Sequence, residues 1–377
     1  MKNLIVEING TGTHNRGAEL MAIAIADRLR TTFPAVQLVV SRQFGSDEER
    51  RKHGLLTTWE HIGRLGGLRS LVNMWKMKGR TDVVSPAAVD VVLDASGFAF
   101  SDQWGESRPR KLVTMMSRRY RRGQTLILMP QALGTFKQEG VALWSRRLMQ
   151  RAVLVCARDS QSKAAVEALG DCTALRQYPD FTVAVAPANG VARAFDDEFA
   201  AIVPNVRMLD KTGLGSAYLA FLRHAIDEIR RNGIRPVIVL HDADEDRAVV
   251  GALGSDFSSV DVVTDDDPRV LKAILGQAEF VIGSRFHALV SSMSQGVPCI
   301  GAGWSHKYPE LFADFDCSEL LMADLEDLER LGALVAALST AETRSSKSSR
   351  IKKAADELKS RCESMWLEVE AHIRSRQ

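Results

Sequence analysis

No apolar run in the 377 residues approaches the ~18 needed to cross a bilayer. The opening residues, Met1-Lys-Asn-Leu-Ile-Val-Glu7, carry too short an apolar stretch for a signal peptide. A cytoplasmic protein is therefore expected, with any membrane contact peripheral, at the inner face. The five cysteines (Cys156, Cys172, Cys299, Cys317, Cys362) are odd in number, scattered and never in a Cys-x-x-Cys pair. That argues against a disulfide framework and a zinc site, and fits a reducing compartment. Net charge is only +2, too small to argue for nucleic acid. Residues 108–122 hold seven basic side chains but one aromatic, Tyr120, so they read as a solvated helix face. The first glycines run Gly10-x-Gly12-x-x-x-x-Gly17, with no Gly-Lys-Ser/Thr after them. This excludes a P-loop and weighs against a dinucleotide site. His241-Asp-Ala-Asp-Glu-Asp246 lacks the fixed glycine and terminal bidentate acid of a hard-metal loop. It reads as a solvated loop, and neither a metal nor a cofactor is expected.

What is present is an alternation. Hydrophobic residues make up 45% and charged residues 25%, the balance of a globular chain. A single core stops growing at ~250–300 residues, so two domains are expected. Apolar runs at 4–8, 37–41, 89–93, 125–129 and 152–157 read as strands separated by helices. Residues 187–190 look like a linker. Strands at 201–204, 236–240, 280–282 and 297–300 then alternate with helices at 218–232 and 269–278. The expected fold is α/β, two Rossmann-like domains facing a cleft, residues 1–186 and 190–340. Residues 340–353, rich in Ser, Arg and Lys, read as a connector. Ile351, Ala355, Leu358, Cys362, Met365, Val369 and Ile373 then recur at helical steps. They mark a terminal amphipathic helix (350–377) expected to pack back on the first domain. Residues 64–80 hold five basic residues and no acid among Leu, Val, Trp and Met. This is either a core-facing helix with a solvated back or a peripheral membrane contact.

The stretch 280–301 carries the sharpest chemical pattern. Strand, turn, helix and strand follow one another, and Arg285 and His287 stand at the helix opening. Cation, imidazole and free backbone N–H groups at one helix start suit an anion. The alternative is that Arg285 pairs with a local carboxylate and His287 is a packed helix residue. Arg158 sits where another strand meets a helix. Lys307 follows the strand after the central helix, and Asp94 and Ser96 stand just past a strand end, at the edge where open sheets bind ligands. Asn15 and Glu19 either meet a ligand at the first turn or cap its helix.

These motifs resemble the polysaccharide pyruvyl transferase family over nearly the whole chain. The most specific part is Ile282-Gly-Ser-Arg-Phe-His-Ala-Leu289 with Gly296-Val-Pro298. Asn15-Arg-Gly-Ala-Glu19, Pro130-Gln-Ala-Leu-Gly134, Ala157-Arg-Asp-Ser-Gln-Ser162, Tyr178-Pro-Asp180 and His306-Lys307 support it. The resemblance implies a GT-B-like fold. It also implies transfer of a pyruvyl group from phosphoenolpyruvate to a sugar of a cell-surface polysaccharide or its precursor, free or lipid-linked, as a ketal. By resemblance, Arg158, Arg285, Phe286 and His287 bind the donor, with Lys307, and His287 and Arg285 are catalytic. Asn15, Glu19, Asp94 and Ser96 are acceptor-side candidates. The chain departs from the family at Asp94-Ala-Ser-Gly97, where glycines are frequent, and at Gly17-Ala-Glu19, where Gly-Asp-Glu is common. Rival readings are a glycosyltransferase using a nucleotide sugar and a non-catalytic sugar-anion binding protein on the same fold.

Overall fold

The computed structural model describes residues 3–58, 81–118, 123–210, 213–303 and 305–376. The basic segment 64–80 lies outside them. The chain divides into two compact units. The first comprises Met1–His14, Met21–Tyr178 and Ser364–Gln377; the second comprises Asn15–Leu20 and Pro179–Glu363.

The first unit is built on an eight-stranded parallel sheet: β1 (Ile5–Asn9), β2 (Gln37–Val40), β3 (Leu56–Thr58), β4 (Val83–Val84), β5 (Val91–Asp94), β6 (Thr125–Gln131), β7 (Leu154–Ala157) and β8 (Leu175–Gln177). Their order is β4-β3-β2-β1-β5-β6-β7-β8. The winding reverses between β1 and β5. Strands β5, β6 and β7 are buried along their whole length, as a sheet covered on both faces requires. Strand β6 runs two residues past the expected end at Met129, through Pro130. Its pairing with β7 shifts register between Leu128 and Gln131, and such an irregularity is where a strand tolerates proline.

The second unit holds a six-stranded parallel sheet: β9 (Phe199–Val203), β10 (Arg235–Val239), β11 (Asp261–Val263), β12 (Val281–Gly283), β13 (Cys299–Ala302) and β14 (Leu321–Met322). The order is β11-β10-β9-β12-β13-β14, with the reversal between β9 and β12. Tyr218, Phe221, Phe280 and Phe312 fill its core.

The connector expected at 340–353 is instead helical. One helix runs Ala341–Arg374. Its opening turns lack an apolar stripe and are held by ions: Arg344 to Glu279 at 2.6 Å, and Lys347 and Arg350 to Glu319. Further along, the expected stripe from Ile351 to Ile373 is buried. Each such aliphatic side chain contributes roughly 1.5–3 kcal/mol. No helix among the described residues is long and apolar enough to cross a membrane.

Candidate functional site

In a parallel sheet all strands end on one edge, and the reversal of winding opens a crevice there. In the second unit this edge is formed by the residues after β9, β10 and β12. The turn after β12 is clamped. The Ser284 carbonyl accepts hydrogen bonds from Asn205 Nδ2 (2.8 Å) and Tyr308 Oη (2.7 Å), and Ser284 N donates to Val203 O.

Arg285 follows, preceding the helix Phe286–Met293. Its side chain is 10% exposed and forks onto Asp246: Nε to Oδ2 at 2.8 Å and Nη2 to Oδ1 at 2.5 Å. Asp242 lies 3.6 Å from Nη2. Burial works against this charge, but Asp246, Asp242 and Glu245 outweigh it and hold the guanidinium above its ordinary value. Arg285 is therefore a matched charge. Its usable chemistry is the direction of its remaining N–H groups, not surplus positive potential.

The acidic run that reads from sequence as a solvated loop is half buried here. Asp242 caps the helix Ala243–Leu253, and Asp246, one turn in, is fully buried. It accepts the Val206 N–H as well as Arg285. The two acids between them, Asp244 and Glu245, face solvent. A helical start, not a loop, sorts the four acids into buried and exposed. His241, just past β10, is 3% exposed. Burial, with the charges of His287, Arg285 and Arg16, pushes it well below its ordinary value, so it stands as a neutral imidazole. Sequence reasoning missed it because the neighbouring acids dominated the pattern.

The His287 side chain is 15% exposed, and its Nε2 lies 3.5 Å from Asp180 Oδ2. Its ring packs on Gly17. A Cβ there would fall 2.2 Å from Nδ1, which is why this position is glycine. Thus the Asn15-to-Glu19 stretch, expected on the acceptor side, belongs to the same unit as His287. The Asn15 side chain caps the first helix through Gly17 N (2.9 Å) and Ala18 N (3.2 Å). Glu19 is buried and accepts from Arg16 (2.6 Å), which also reaches Asp266 (2.6 Å). Phe286 meets the His287 ring edge-on at 5.4 Å. Lys307 Nζ lies 5.4 Å from the Phe286 ring centre. Arg285, Phe286, His287 and Lys307 are thus gathered at one edge.

Arg158, Asp94 and Ser96 belong to the first unit. Arg158 is buried just past β7, and the next residue, Asp159, caps a helix through Ser162 N (2.7 Å). Asp94 ends β5 and is fully buried. Burial raises its carboxyl above the ordinary value, opposed by hydrogen bonds from Asn9, Ser96 and Gln131.

Two Rossmann-like units, one with a cation–imidazole turn at its switch point, define the GT-B-like fold class. The chain matches the model of the polysaccharide pyruvyl transferase family over residues 15–306, and it belongs to that family. Membership makes it a transferase of polysaccharide modification. No curated protein matches it. Among solved structures it is similar to Anabaena Alr3699/HepE in complex with UDP-glucose (12% identity, 98% of this chain and 100% of that one, TM-score 0.59). It is also similar to S. aureus MnaA with UDP (12%, 94% and 94%, 0.59) and to Methanocaldococcus jannaschii UDP-GlcNAc 2-epimerase (11%, 91% and 94%, 0.54). At such identities the likeness bears on the fold alone.

Proposed function

We propose that the protein transfers the pyruvyl group of phosphoenolpyruvate to a sugar diol of a polysaccharide or its precursor, closing a cyclic ketal and releasing phosphate. The observation that carries this reading is the Arg285–Phe286–His287 turn at the reversal of the second sheet, with Lys307 beside it. The donor bears a carboxylate and a phosphate. Backbone N–H groups at a helix start, a fixed guanidinium edge and an ammonium are suited to both.

The protons balance around one imidazole. His287, protonated, delivers its proton to the methylene carbon, and C2 of the donor becomes cationic. The first sugar hydroxyl adds to C2 and returns a proton to His287. The C2–O bond to phosphate then breaks, and phosphate leaves with the electron pair. The second hydroxyl closes the ketal, and its proton departs with the phosphate. Arg285 spends Nε and Nη2 on Asp246, so Nη1 is the edge offered to the leaving group. An imidazole is the side chain suited to both proton transfers near neutral pH. Arg158, Asp94 and Ser96 of the first unit remain separate candidates, each to be tested by its own variant.

Thermal melting with phosphoenolpyruvate, UDP-glucose and a GDP-sugar decides the donor. Phosphoenolpyruvate should raise the Tm and, with a diol acceptor, release phosphate. A shift with a nucleotide sugar alone would favour sugar transfer. Binding of phosphoenolpyruvate with no phosphate release across acceptors would leave a sugar-anion binding protein.

A further inference from the structure

Proton transfer by His287 requires its two ring nitrogens to differ, and their surroundings do. Nε2 is enclosed and has no hydrogen bond; Asp180 Oδ2 stands 3.5 Å away, beyond the reach of an N–H···O bond. Nδ1 is on the other side of the ring, against the Gly17 backbone. An N–H enclosed without an acceptor costs about 1–3 kcal/mol. A small approach of the two side chains removes that cost, and such contacts commonly tighten when substrate binds.

Asp180 is itself held. Its Oδ1 accepts from Thr182 N (3.0 Å) and Thr182 Oγ1 (2.5 Å), at the start of the turn Phe181–Ala184. The Thr182 carbonyl in turn accepts from buried Lys272 Nζ at 3.1 Å. The carboxylate is 4% exposed, so it cannot reach substrate directly. Its orientation is over-determined, with Oδ2 turned to the imidazole.

We propose that Asp180 is a positioning residue: it places the fixed proton of His287 on Nε2 and makes Nδ1 the atom that gives and takes the mobile proton. In the neutral ring, Nε2–H points to Asp180 and the Nδ1 lone pair is free to accept the hydroxyl proton. In the charged ring, Nδ1–H is the acid, and Asp180 offsets the imidazolium. A carboxylate that fixes a tautomer does not itself change protonation. The kinetic consequence rests on the pyruvyl-transfer reading; the tautomer does not.

The test is long-range 1H–15N NMR of the histidine rings in the full-length protein, with His287 assigned by its loss in His287→Gln. The wild type should show the Nε2–H tautomer at a pH where the ring is neutral. Asp180→Asn should move it toward Nδ1–H, and Asp180→Glu should restore it in part. In phosphate release, Asp180→Asn should lower kcat about 10–10²-fold, the scale for loss of an orienting partner, with KM for phosphoenolpyruvate within about threefold. An Nδ1–H ring in the wild type overturns the proposal without any variant. So does an unchanged tautomer in Asp180→Asn. If the spectra behave as expected while phosphoenolpyruvate neither binds nor reacts, the reaction assignment fails and the positioning role stands.

Discussion

At the reversal point of the first sheet, Gly10 and Ser96 touch so closely that a Cβ on residue 10 would fall 2.1 Å from Ser96 Oγ. Gly10 holds a φ of +79° to allow it. Beneath them Asp94 is sealed by Asn9 and Gln131. At the reversal point of the second sheet the same topology carries Arg285, His287, His241 and Lys307, with two of these imidazoles and guanidinium groups still partly reachable. The topology makes a crevice in both sheets, but the residues just past the strand ends decide what it can do. One edge is closed by a buried polar network. The other is lined by groups able to hold an anion and move a proton.

The largest effect expected is on the second edge. His287→Ala should cut kcat for phosphate release by about 10²–10⁴-fold, the usual contribution of a general acid–base group. Melting temperature should change little, because the ring is packed at the rim and not in the core. Near wild-type turnover would remove His287 from the chemistry and, with it, the contrast between the two edges.

Much of this was legible in the chain. Nine of the strands follow from apolar runs, because parallel strands covered on both faces leave continuous hydrophobic stretches. Short strands such as β4 (Val83–Val84) and β14 (Leu321–Met322) at the sheet edges have too few residues to show a period. Arg285 and His287 stood out by their place after a strand. Their pairing with Asp246 and Asp180 did not. Asp246 and Asp180 are 39 residues and more than 100 residues away in the chain, and only the fold brings them in. The acids from Asp242 to Asp246 show the limit best. Polarity marked them for solvent, but helical sorting buried the one that an arginine needed. The Ser-rich start of the final helix misled for the opposite reason, since ion pairs, not an apolar stripe, hold it.

A smaller effect probes what stands behind the second edge. Lys272 is almost wholly buried, and burial lowers its ammonium to about 7, helped by Lys359 and opposed by Asp180 and Cys362. The unfolded chain holds that proton up to the ordinary lysine range. Below about pH 7 both states are protonated and the folded state bears the full cost of a buried charge. As pH rises through 7 and beyond, the folded state sheds the proton first and the cost is relieved. Lys272→Met should therefore stabilise by about 1–3 kcal/mol at pH 6, and by less at pH 10. Denaturation at the two pH values checks it. A loss at pH 6 would show that the hydrogen bond to Thr182 outweighs desolvation. The support under Asp180 would then be electrostatic and not steric.

The smallest effect belongs to the closed edge. Burial raises the Asp94 carboxyl, so the folded state binds its proton more tightly than the unfolded chain does. The cost of the charge is present above that raised value, and it disappears as pH falls to the ordinary carboxylate range. Asn at this position has the shape of the protonated acid. With the Gln131 amide turned over, the Asn amide can also donate to Gln131 Oε1, a buried oxygen with no hydrogen bond. Asp94→Asn should thus raise stability by about 1 kcal/mol at pH 7, with the gain shrinking toward pH 4. Affinity for phosphoenolpyruvate should stay within about twofold by calorimetry, since Asp94 is an acceptor-side candidate and not one of the residues assigned to the donor. A tenfold loss of donor affinity in a folded Asp94→Asn would mean the first edge is also a working one, and the difference drawn between the two sheets would have to be given up.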